Sequence, residues 1–152
     1  MTKRPRPEPR SAYRHFRAIP TRWMDDDVYG HVNNVQYYSF FDTVVNGYLI
    51  QAGVLDPRAS PVIGLVVETT CNYFASLSFP DEIQAGLRVA RVGASSVRYE
   101  IGLFRGTEAQ AAAQGHFVHV YVDRASRRPV PLPDALKQAL TPLLVGNVTP
   151  AS

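Results

Sequence analysis

Apolar residues recur along this chain in two rhythms, and the change from one to the other marks out its elements. Between Val35 and Ala52 the positions Val35, Tyr38, Phe41, Val44, Val45, Tyr48 and Leu49 return at helical spacing, which predicts a helix with one buried face. Asn33 or Asn34 can cap its start, Gly53 can end it, and its length corresponds to about five turns. Elsewhere the rhythm is that of strands. Phe16 to Trp23 reads as a first strand, broken by the acids and the glycine of Asp25 to Gly30. Pro61 to Phe74, Glu82 to Val92, Val97 to Arg105 and Ala113 to Val122 are rich in Val, Ile, Tyr and Phe. Pro80-Asp81, Gly93-Ala94-Ser95 and Gly106 separate them, so they are expected as four further strands joined by hairpins. Clean alternation from Gly115 to Val122 puts His116 and His119 on opposite faces, where they cannot share a metal ion. A short helix from Pro133 to Leu140 closes the pattern.

One strand, one long helix and a run of antiparallel strands predict an α+β fold whose sheet wraps a single central helix. With so few helices, part of the sheet is left to be covered, and pairing with a second copy is the expected cover.

A chain of 152 residues is the size of one domain. The expected division is a basic, Pro-rich, disordered leader over 1–15, a domain over 16–141 and a tail over 142–152. Charge supports it. The formal net charge is +3, but Lys3, Arg4, Arg6, Arg10, Arg14 and Arg17 precede Ile19 with only Glu8 opposing them, so the body is mildly acidic. No basic stripe interleaved with aromatics follows, which argues against nucleic acid as a partner. No apolar run is long enough for a membrane span or a secretion signal, and Cys71 is the single cysteine, so a reducing, cytoplasmic setting is expected. Cys71 reads as a small buried residue rather than a nucleophile, since no histidine stands at a motif spacing beside it.

The chemistry concentrates just ahead of the predicted helix. Asp25-Asp26-Asp27, the glycine turn at Gly30 and the capping pair Asn33-Asn34 aim an acid at the positive end of a helix dipole. A carbonyl held at such a helix start, with a carboxylate near enough to drive water onto it, would be hydrolysed as an activated acyl group.

Arg22, Trp23, Asp25, Asp27, Gly30, His31, Val32, Asn33, Asn34 and Tyr37 together resemble the motif of the hotdog-fold acyl-CoA thioesterases of the 4-hydroxybenzoyl-CoA thioesterase family. The likeness continues through Val67-Glu68, Cys71-Asn72-Tyr73, Asp81-Glu82-Ile83, Val120-Tyr121-Val122-Asp123 and Arg127 to Pro133. Pro80 departs from it, where relatives often carry glycine. The resemblance implies hydrolysis of an acyl-CoA to a free acid and coenzyme A by a homodimer or tetramer, with no cofactor and no metal. It places the catalytic carboxylate on Asp27, as general base or as nucleophile, and the N–H that polarises the carbonyl on Asn34. Tyr29, Gly30, His31, Asn33 and Tyr37 border the substrate in this reading, with His31 in a supporting role.

Glu68 interrupts an apolar strand; it is either a second carboxylate reaching a partner's helix start or a hydrogen-bonded structural acid at the dimer seam. Arg88, Arg91, Arg124, Arg127 and Arg128 are candidates for the phosphates of coenzyme A, or simply surface charges. Two other activities stay open at this point: a hydratase or dehydratase of enoyl-CoA pairing Asp27 with His31, and a non-catalytic acyl-CoA-binding protein.

Overall fold

A computed structural model describes residues 5–145; the ends of the expected leader and tail, 1–4 and 146–152, lie outside the described residues. The elements are β1 (His15–Pro20), α1 (Asn34–Gln51), β2 (Val62–Tyr73), β3 (Glu82–Val92), β4 (Ser96–Arg105), β5 (Ala113–Asp123) and α2 (Asp134–Leu140). All five strands form one antiparallel sheet in the order β1-β3-β4-β5-β2. Two expected hairpins are present, β3 with β4 and β4 with β5. The third is not. β2 crosses to the far edge and pairs with β5, because its backbone finds partners there that β3 has already given to β1 and β4.

Helix α1 runs 18 residues and packs against the sheet, burying Tyr37, Phe40, Phe41, Val44, Val45 and Leu49. Its buried face is rotated from the expected one: Val35 is 65% exposed and Tyr38 only half-buried, while Tyr37 and Phe40 turn inward. The ring of Tyr37 decides this, meeting Tyr73 of β2 edge to face at 4.9 Å. Fully buried Phe41, Val44 and Val45 join Leu87, Val89, Tyr99 and Ile101 in one cluster, each side chain contributing about 1.5–3 kcal/mol by burial. No helix among the described residues is long and apolar enough to cross a membrane.

The leader corrects an expectation. Arg10–Ala12 form a turn of 3-10 helix, and Tyr13 is buried on the face of the sheet away from α1, in a cluster with Phe104 and Ala111. Its ring needs the space that two paired glycines leave: a Cβ on Gly86 or Gly102 would stand 2.8 or 2.6 Å from it. Glu8 adds a backbone bond to Gln114, and the Arg10 guanidinium bonds the carbonyls of Glu108 and Gly106. At the other end Leu143, expected in the tail, is buried in the main core beside α2.

Candidate active site

Three consecutive aspartates precede α1, and each has a different task. Asp25 is completely buried; its carboxylate accepts the backbone N–H of Arg22 at 2.7 Å and the Arg22 guanidinium at 2.8 and 3.1 Å. Its own carbonyl takes the N–H of Asn33 at 2.9 Å, tying the stretch before the turn to the helix cap. Asp26 accepts the N–H of Phe79 at 3.0 and 3.3 Å and pairs with Val32, fixing the turn to the loop before β3.

Asp27 sits inside that frame. Its N–H donates to the carbonyl of His31 at 2.9 Å, and its own carbonyl accepts from Gly30 at 3.1 Å, closing a five-residue turn. Gly30 carries a φ of 80°, the left-handed conformation that L side chains avoid, which is why a glycine ends the turn. One carboxylate oxygen accepts the N–H of Tyr29 at 2.9 Å; the other has no such bond in the turn.

At the helix start Asn33 is the N-cap, its side chain accepting the Val35 N–H at 3.0 Å and its carbonyl the Gln36 N–H at 2.9 Å. The cap thus engages Val35 and Gln36 and not Asn34, whose N–H is one of the orphan donors at the positive end of the helix.

Two adjoining clefts share this turn. One, of about 600 Å³, is lined by Trp23, Asp27, Tyr29, Gly30 and Asn33. The other, of about 350 Å³, is lined by His31, Asn34, Tyr37, Tyr73 and the chain from Phe74 to Ser76. The expected site residues line both: Asp27, Tyr29, Gly30 and Asn33 the larger cleft, and His31, Asn34 and Tyr37 the smaller one beside it. Around them the surface is unusually apolar, with Trp23 79%, Val28 94% and Tyr29 83% exposed.

A family model described as thioesterase-like superfamily matches residues 21–140, which includes this turn and all strands but the first. The chain belongs to the thioesterase-like superfamily. Its fold is close to that of the PA5185 protein of Pseudomonas aeruginosa strain PAO1, with 55% identity and a TM-score of 0.89 over 91% of this chain and 97% of that one. The uncharacterized protein YsmA of Bacillus subtilis strain 168 is 24% identical over 131 residues, covering 86% of this chain and 88% of its own. BH1999 gentisyl-coenzyme A thioesterase, at 21% identity, shares the fold with a TM-score of 0.75 over 84% of this chain and 100% of its own.

In this thioesterase-like chain Glu68 lies away from both clefts. It is exposed on β2 and bonds His116 Nε2 at 2.5 Å, while His116 Nδ1 meets the Thr70 hydroxyl at 2.8 Å. The bond to His116, then its charge, holds the Glu68 carboxyl below its ordinary range. Two of the five candidate arginines are engaged elsewhere: Arg88 pairs with Glu100 and Glu8, and Arg124 bonds the carbonyls of Ser60 and Pro57. Cys71 is half-buried, and burial pushes its thiol up to about 11, unsuited to nucleophilic work. Trp23 was missed as a cleft wall by sequence reasoning, although a tryptophan beside an acidic turn was an available signal. Of Tyr37, Tyr38, Phe41 and Tyr73, which the sequence leaves open between an acyl pocket and the core, Tyr37 and Tyr73 line a cleft.

Proposed function

We propose that this protein is an acyl-CoA thioesterase of the 4-hydroxybenzoyl-CoA thioesterase type, releasing a free carboxylic acid and coenzyme A. The observation that carries the reading is the carboxylate of Asp27, clamped in a closed turn directly ahead of the α1 N-terminus and opening on an apolar cleft. In the proposed reaction the thioester carbonyl lies on the N–H of Asn34, where a donor is worth on the order of 3 kcal/mol to the developing oxyanion. Asp27 either takes a proton from the attacking water or attacks the carbonyl carbon itself, at about 3–3.5 Å from it. The thiolate of coenzyme A leaves. Gly30 shapes the turn, and Tyr29, His31, Asn33 and Tyr37 border the substrate.

A homodimer belongs to the proposal. β2 is an edge strand with Val66 46% and Val67 61% exposed, so its unpaired backbone and apolar side chains suit pairing with a second copy. Such pairing brings a second chain toward the clefts and is the remaining route by which Glu68 would approach an acyl site.

The test is thiol release from a panel of short, long and aryl acyl-CoAs, with crotonyl-CoA included. Release from at least one saturated or aryl substrate supports the proposal. Hydration of crotonyl-CoA without thiol release, or tight binding of every acyl-CoA without turnover, overturns it.

A further inference from the structure

A third cavity, of about 370 Å³, lies toward the other end of α1, between Asn46 and Leu49 of the helix, Leu55, Ile63 and Gly64 of β2, and His119 of β5. Apolar side chains make up most of its wall. The polar side chains on it are Asn46, His119, Tyr121 and Arg124. Of these His119 is 3% exposed, with Nε2 lacking a hydrogen-bond partner among the described residues. The rings of Tyr99, Phe117 and Tyr121 stand 5.0, 5.7 and 6.2 Å from its own.

An imidazole so placed costs free energy unless something bonds to it, and such groups are rare without a purpose. The neighbouring polar groups do not answer it. The Tyr121 hydroxyl bonds that of Tyr99 at 2.6 Å, and Arg124 at the cavity edge is spent on the carbonyls of Ser60 and Pro57. The other ring nitrogen is left open by a missing side chain: a Cβ on Gly64 would stand 2.9 Å from His119 Nδ1 and 3.0 Å from Tyr121 Cζ. Burial lowers His119 to about 4, so the ring is neutral and offers one donor and one acceptor.

We infer that this cavity receives the far end of the acyl group, and that it selects a neutral, mainly apolar end carrying one hydroxyl or carbonyl oxygen, hydrogen-bonded to His119. The inference rests on the thioesterase and homodimer reading for the route by which substrate arrives. Asn34 and Asn46 are separated by about 18 Å of helix rise, too far for a short acyl group to bridge within one chain. β2 supplies the link, because it begins in this cavity at Ile63 and Gly64 and ends at Tyr73 in the cleft of Asn34. When two copies pair antiparallel along β2, the start of one strand lies beside the end of the other, so each cavity abuts the opposite protomer's cleft.

The experiment compares ω-hydroxyacyl-CoAs of four to ten carbons with the plain acyl-CoAs one carbon longer, which match them in size. The wild-type enzyme is expected to favour the hydroxylated member by about tenfold or more in kcat/KM at the length that fills the cavity. His119→Leu should abolish the preference by slowing only the hydroxylated substrate, and His119→Gln should restore part of it. No preference at any length, or an equal loss on both members in His119→Leu, overturns the inference. If the wild-type protein releases thiol from nothing, the thioesterase reading fails, and the cavity is then judged by binding alone. The probes are phenol and toluene, added to protein carrying ¹⁵N-labelled histidine. Phenol alone should shift the imidazole resonances that vanish in His119→Gln; no shift with phenol, or the same shift with toluene, overturns the assignment.

Discussion

Asp27 donates its backbone N–H to the carbonyl of His31 at 2.9 Å, so the carboxylate stands on a closed turn that leads directly into the N-cap of α1. The carboxylate is positioned by the backbone bonds of the turn together with its own bond from the Tyr29 N–H. Chemistry at Asp27 and stability of the turn are therefore separable by mutation.

Asp27→Asn keeps an oxygen to accept the Tyr29 N–H and so leaves the turn in place, while removing the base or nucleophile. Turnover on the best substrate is expected to fall by at least about 100-fold with the melting temperature unchanged within about 2 °C. Thiol release and thermal melts check this, and a variant with wild-type turnover refutes the role of Asp27.

Asp25→Ala is expected to do the reverse. The lost carboxylate leaves the Arg22 N–H without its acceptor in a buried frame, costing about 1–3 kcal/mol of stability. Arg22→Ala keeps the backbone bond and should cost less, although it strips the buried Asp25 carboxylate of a guanidinium that is itself largely exposed. Urea unfolding of both variants ranks them; equal losses would mean that the ion pair, not the backbone bond, is what matters.

Val67→Asp places a charge on the exposed edge of β2. Light scattering on the wild-type protein should give twice the chain mass of 16.9 kDa, and on the variant the mass of a single chain. A wild-type monomer would remove the homodimer from the proposal.

Acid should weaken the fold through His119. Its ordinary value of 6.5 is lowered to about 4 by burial, so the unfolded chain takes up a proton across a window in which the folded chain does not. Stability from this group is complete above about pH 6.5 and is lost as pH falls toward 4, by about 3 kcal/mol for a shift of this size. His119→Phe should remove that part of the acid sensitivity. Urea unfolding at pH 7 and pH 4.5 measures it, and an unchanged difference between the two pH values in the variant counts against the assignment.

Much of the site was legible in the chain itself. The capping of α1 by Asn33, the left-handed glycine at Gly30 and the acid three positions before it follow from local rules that depend on residues within a few positions of one another. Less was legible where partners are distant. Asp25 could not be told from Asp27 by type, since only the meeting of the 22–25 segment with the helix cap buries one and leaves the other facing a cleft. Val35 was misassigned to the core because helical periodicity tolerates a rotation of the buried face, and Tyr73 resolves that rotation from another strand.

By itself the sequence determined the elements, their order along the chain and the residues of the helix-start motif, because apolar period, breakers and caps are short-range properties. The tertiary structure alone decided that β2 crosses to the far edge beside β5, that Tyr13 anchors the leader over Gly86 and Gly102, and that His119 is sealed in against a cavity opened by Gly64. Those outcomes turn on which surfaces compete for the same backbone bonds and the same buried space, and residues far apart in sequence enter that competition only once the sheet has formed.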